Sequence, residues 1–164
     1  MLKSVVRFSL VLLLGLALTA CQAATSYYLG AKADGMESVV LKSGNYHWQD
    51  LYVTVDYRLQ QQADKLGIDG VLTFSDNPRV SYTVSRDLKL KLFQLDKDKR
   101  VVSYADIARV LNPDLEADTR FAREVPLHKD TVSLAFGYEG VLFAKDPDYP
   151  TSDMIWKLPR RGAE

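Results

Sequence analysis

Residues 51–60 read Leu-Tyr-Val-Thr-Val-Asp-Tyr-Arg-Leu-Gln, so that Leu51, Val53, Val55, Tyr57 and Leu59 alternate with Tyr52, Thr54, Asp56, Arg58 and Gln60. A period of two places successive side chains on opposite faces, which predicts a β-strand with one face buried and the other wet. On its N-terminal side, Ser38 to Lys42 is a short β-branched run ended by the turn-forming Ser43-Gly44-Asn45. On its C-terminal side a polar stretch from Gln60 to Lys65 leads into Leu66, Ile68, Leu72 and Phe74. The pair reads as a hairpin, with Gly67 and Gly70 marking a bulge or a close backbone approach. Ser75-Asp76-Asn77-Pro78 closes it, because Pro78 has no amide to give to a ladder.

The same rhythm continues. Val80, Tyr82 and Val84 alternate, then Leu88, Leu90 and Leu92 with Lys89 and Lys91 outward, after which Phe93 and Leu95 shift the phase, as at a bulge or a crossing between sheets. Asp96-Lys97-Asp98-Lys99 is a polar hairpin turn; it lacks the glycine and distal glutamate of a calcium loop. From Ser103 to Asn112 the pattern changes. Tyr104, Ile107 and Leu111 fall on one helical face, Ser103 and Asp106 can cap it, and Asn112-Pro113 stops it, so one short helix is expected. Asp114 to Thr119 reads as a solvated acidic loop. Strands return at Phe121, Val125 and Leu127, at Val132 to Tyr138, and at Val141 to Phe143. About seven strands and at most one helix predict an all-β protein, an antiparallel two-layer β-sandwich with a small barrel as the second choice.

The first residues follow different rules. Lys3 and Arg7 precede an apolar run from Phe8 to Leu18, which ends in Leu18-Thr19-Ala20-Cys21. About 11 apolar residues are too few to cross a bilayer core, which takes about 20, and suit a secretory signal peptide. Leu18-Thr19-Ala20-Cys21 resembles the lipobox of bacterial lipoproteins. The resemblance implies that residues 1–20 are removed and that Cys21, the sole cysteine, receives a diacylglycerol and is acylated at its new amino terminus. It implies attachment to membrane lipid through acylated Cys21. By that family's sorting rule, Gln22 rather than Asp after the cysteine implies the outer membrane, with the domain facing the periplasm. Two or more buried chains make such an anchor effectively permanent.

Residues 21–36 then read as lipidated cysteine and flexible tether, in which Tyr27 and Tyr28 either meet the headgroups or fold back. Residues 37–158 read as one domain and 159–164 as a tail, with Ile155 and Trp156 as candidate pins. The later pattern, Phe121-x-x-x-Val125-Pro126-Leu127 followed by an alternating strand ending Tyr138-Glu139-Gly140, resembles the immunoglobulin-like sandwiches of envelope lipoproteins of unknown function. That likeness implies a fold and no activity.

Composition bounds the rest. The 164 residues carry 21 basic and 21 acidic side chains, and loss of Lys3 and Arg7 leaves a slightly acidic chain, so no electrostatic footprint for nucleic acid exists. With Cys21 committed to lipid, a disulfide is impossible and the hydrophobic core has to suffice. No strained nucleophile turn or phosphate-cradling loop is present. His47 and His128 each stand without a second ligand at helical or strand spacing, so no metal site, catalytic residue or cofactor is assigned.

Tyr46, Trp48 and Tyr52 share the parity of the wet face if the strand runs on from Asn45. They are then an exposed aromatic row with Asp50 and Asp56, a candidate recognition surface unless another segment covers it. Three classes follow. First comes a non-catalytic, lipid-anchored periplasmic module that binds an envelope protein partner. A small-ligand or lipid-binding lipoprotein with an apolar cavity is second, and an enzyme third.

Overall fold

The computed structural model describes residues 27–111, 114–144 and 151–160. The lipobox, Cys21 and Gln22 lie outside the described residues. Among the described residues, nine strands build two antiparallel sheets that stack as a two-layer sandwich: β1 (Ser38–Val40), β2 (Gly44–Gln49), β3 (Val53–Gln62), β4 (Lys65–Phe74), β5 (Tyr82–Leu95), β6 (Val101–Val110), β7 (Thr119–Pro126), β8 (Ser133–Ala144) and β9 (Ser152–Lys157). One sheet has the order β2-β3-β4-β7. The other runs β1-β8-β5-β6, with β9 also on β8. β1 pairs with Ser133 to Ala135 and β9 with Tyr138 to Phe143, so the two follow one another along the same edge of β8. The expected antiparallel two-layer β-sandwich is what the chain forms, not closed into a barrel, with strand orders other than the ABED and CFG sheets of immunoglobulin domains.

The alternation around Val55 does what its period requires. Val53, Val55, Tyr57 and Leu59 are buried and meet Leu66, Ile68, Leu72 and Phe74 of β4 on the same face. From the other sheet, Leu88, Leu90, Leu92, Leu134, Phe136, Tyr138 and Leu142 close the core. Gln94 is a polar member of that interior: its amide donates to the Pro126 carbonyl at 2.7 Å and accepts from the His128 amide and the Thr131 hydroxyl, both at 2.8 Å. A buried side chain so fully paired fixes β5 against the β7–β8 connection at little desolvation cost.

Three expectations change. The segment 101–110 is strand β6, not a helix. β6 carries two irregularities against β5, between the Leu90–Ala108 and Lys91–Asp106 pairs and between Gln94–Ser103 and Leu95–Val101. Each puts an extra residue into β6, so the period of two breaks twice and Tyr104, Ile107 and Leu111 imitate helical spacing. A helix does occur elsewhere, α1 (Asp76–Ser81), where a turn into a strand was expected. Ser75 stands at its N-cap, but its hydroxyl donates to the Leu51 carbonyl and accepts from no helix amide.

The tether expectation also fails for residues 27–36. They form a strap across the outer face of the five-stranded sheet, where Ala33 and Met36 pack with Phe93, Leu95, Val101 and Ala135 in a second, smaller core. Tyr28 folds back and meets the rings of Phe93 and Tyr104 edge-on at 5.3 and 5.0 Å. The phase shift after Leu92 is therefore no crossing. Leu92 faces the main core, Phe93 and Leu95 face the strap, and the strand is apolar on both sides because both sides are covered. Residues 152–157, read as part of the closing segment, form β9, pinned by buried Ile155 while Trp156 stays exposed.

Two glycines are required by close approach. A Cβ at Gly137 would stand 2.7 Å from the Phe93 ring and against the Lys157 carbonyl, and one at Gly70 would stand 2.9 Å from Tyr57 Cα. The Asp87–Leu88 bulge of β5 faces Gly140, and Asp87 takes a positive φ of 50° there.

Candidate functional site

The hairpin β2–β3 turns at Asp50-Leu51-Tyr52, and its register pairs Tyr46 with Tyr57 and Trp48 with Val55. Even positions of β2 thus share a face with odd positions of β3. Tyr46 and Trp48 consequently turn toward the core, not toward solvent, which corrects the reading of an exposed aromatic row. Trp48 is only 4% exposed and lies on the Phe136 and Tyr138 rings at 5.4 and 6.4 Å. Tyr46 is half-buried, stacked on Tyr57 at 5.5 Å, with its hydroxyl donating to the Lys42 carbonyl. Tyr52 sits apart at the hairpin end, half-buried, where its carbonyl accepts from the Ser75 amide.

Of the three aromatics, Tyr46 and Trp48 meet in a cleft and Tyr52 does not. On the side of the sandwich where β1 and β2 are the edge strands, a cavity of about 260 Å³ is lined by Glu37, Ser38, Val39, Tyr46, His47 and Trp48, and floored by Tyr57, Leu134 and Phe136. The Phe136 ring meets Tyr57 edge-on at 4.7 Å, so the floor is a continuous aromatic cluster drawn from both sheets. The volume is slightly below the roughly 300–1,000 Å³ of typical small-molecule sites. Tyr57 and Phe136 escape sequence reading because only the stacking of the two sheets brings them together.

The mouth carries charge. His47 Nδ1 lies 2.8 Å from Asp56 Oδ1, across the β2–β3 register on the wet face. The hydrogen bond to Asp56 raises the His47 pKa, outweighing the opposing effect of desolvation, with Asp56 and Glu37 adding Coulombic support. The imidazolium is favoured in the folded state, so this contribution is full below the unfolded value of 6.5 and fades as pH rises through the higher folded value. In an NMR titration the His47 ring should show a midpoint above 6.5, returning toward that value in Asp56→Asn. An unchanged midpoint in that variant would show that Asp56 is not the cause.

At the other end of the hairpin, Asp50 joins the two sheets. Its carboxylate accepts from the Tyr138 hydroxyl at 2.7 Å and from Lys157 Nζ at 2.8 Å. On the outer face, Lys91 is nearly buried between Asp106 at 2.7 Å and Glu139 at 3.3 Å. Burial works against its charge, but the two carboxylates outweigh it and hold the ammonium protonated. Both clusters are closed on themselves and have the character of structural ties. Among the described residues no three His, Cys, Asp or Glu side chains converge to hold a metal, and no helix is long and apolar enough to cross a membrane. Compared with known proteins, the chain matches no family model, no curated protein and no solved structure.

Proposed function

We propose that this chain is an exported module, anchored to the outer membrane by acylated Cys21, that binds an envelope protein partner at the β1–β2 cleft and performs no catalysis. The observation that carries the reading is the pairing of an aromatic floor with a strand edge. β2 is hydrogen-bonded to β3 on one side, and its other edge borders the cleft. An extended peptide can add to such an edge through its backbone while an apolar side chain fills the aromatic pocket. Buried aromatics at the centre of a small concavity are what interface hot spots are made of. The anchor rests on the lipobox resemblance and on Gln22.

The test is a photo-crosslinking residue at Asn45 or His47 of the full chain in living cells, with exposed Ala122 of β7 as the remote control. A discrete adduct from 45 and 47, absent from 122 and lost when Val39→Lys blocks the cleft, is expected. Equal labelling from all three positions would remove the cleft from consideration.

A further inference from the structure

The anchor and the strap together have a geometric consequence. From Cys21 to Tyr27 the chain spans at most about 20 Å, at 3.3–3.6 Å per residue. The face where Tyr27 emerges is therefore held beside whatever holds Cys21. We propose that this face, the outer side of the five-stranded sheet around Tyr27, Leu29, Lys32, Trp156 and Arg160, docks flat on an anionic phospholipid surface. The inference rests on the anchoring reading above.

The residues do share one side. Trp156 is the register partner of Glu139, whose carboxylate meets Lys91, and Lys91 lies under the Tyr28 ring on the outer face. Ile155 points inward, so Met154 and Trp156 point outward, at 78% and 53% exposure. The strap adds Tyr27 and Leu29, both exposed. Between strap and β9 runs a groove of about 560 Å³, bordered by Lys32, Met36, Trp156 and Arg160. Lys32 bridges by its backbone to both Arg100 and Arg160, which brings three cations to the strap. The Arg160 guanidinium lies 5.8 Å from the Trp156 ring.

The sign of the charge on this face is set by what is already paired. Asp87, Asp106 and Glu139 are matched by Arg109, Lys91 and Lys89. Asp96 turns its carboxylate onto the amides of Asp98 and Arg100. Asp34, on the groove rim, is the opposing carboxylate among the described residues of the groove. Lys32, Arg100 and Arg160 have no carboxylate partner among the described residues, Arg100 donating instead to the Gly30 carbonyl, and they surround exposed tryptophan and tyrosine, the pairing that sits at the headgroup level of bilayers. A tether this short matters because electrostatic attraction fades beyond about 8 Å at physiological salt.

The chain supplies its own probe. It has two tryptophans, of which Trp48 is in the core and Trp156 on the proposed face. The full chain, produced in Gram-negative cells and purified from membranes, is reconstituted in vesicles of phosphatidylethanolamine and phosphatidylglycerol with or without brominated acyl chains. Intact mass and flotation report the anchor; bromine quenching reports the docking. Loss of roughly half the emission is expected, since one of two indoles is within reach. The remaining Trp48 emission in Trp156→Phe should be unquenched, and the combination Lys32→Glu with Arg160→Glu should lose the quenching while its Trp48 emission shows an intact core.

An acylated, floating chain whose Trp156 is unquenched overturns the docking and leaves the anchor. An unacylated chain whose Trp156 is quenched when vesicles are added removes the anchor and keeps the face. Quenching that persists in the double-glutamate variant or in phosphatidylcholine vesicles overturns the charge-selective recognition.

Discussion

Replacing Trp48 by alanine is expected to cost about 3–5 kcal/mol of folding stability, the range for deleting a buried aromatic from a packed core. The indole is 4% exposed and rests on Phe136 and Tyr138 of the opposite sheet, so its loss opens a void between the layers and not merely at the edge. Tyr46→Ala, two positions away on the same face, should cost only about 1 kcal/mol, because Tyr46 is half-buried and lies over one ring, that of Tyr57. Urea denaturation of the two variants decides the matter. Equal, small losses would show that Trp48 faces solvent and that the β2–β3 register is wrong.

Asp50→Ala is expected to cost about 3 kcal/mol, at the low end for breaking a buried pair because Asp50 and Lys157 keep 21% and 26% side-chain exposure. The loss leaves the Lys157 ammonium without its partner and the Tyr138 hydroxyl without its acceptor, at the point where the β2–β3 hairpin meets β8 and β9. Asp50→Asn should cost less, since an amide oxygen still accepts from Tyr138. Burial works to raise the Asp50 pKa, but hydrogen bonds from Lys157, Tyr138 and the Leu51 amide outweigh it and hold the carboxyl below its ordinary 3.8. A depressed carboxyl contributes stability that is complete above 3.8 and is lost as pH falls through the folded value. Denaturation midpoints followed from pH 5 downward should fall less steeply in Asp50→Asn than in the parent. Parallel acid limbs would locate the acid sensitivity in other carboxylates.

Where a face is simply buried or simply wet, the sequence is a good guide to this fold. β3, β4 and β7 follow their alternation because one side meets the core and nothing covers the other. The failures have separate physical causes. β6 hides its period behind two bulges. The end of β5 reads as a phase shift because Phe93 and Leu95 are buried from outside the sandwich, by a strap with no regular pattern of its own. Parity along a continuous strand was the wrong guide for Trp48, because a hairpin turn at Asp50-Leu51-Tyr52 exchanges the faces. The cleft is half legible: Tyr46 and Trp48 stand out as an aromatic pair, while Tyr57 and Phe136 look like any core residues until the two sheets stack and bring them together.

The strap is made early and received late. Residues 27–36 leave the ribosome well before Phe93, Val101 and Ala135 exist to pack against, and the sheet that presents those three is complete only when β8 has joined β5. Until then the folding chain carries an uncovered apolar patch on the outer side of its longest strand, the kind of surface that promotes self-association. Substitutions in the strap will therefore be felt first as lost yield, and only afterwards as lost stability.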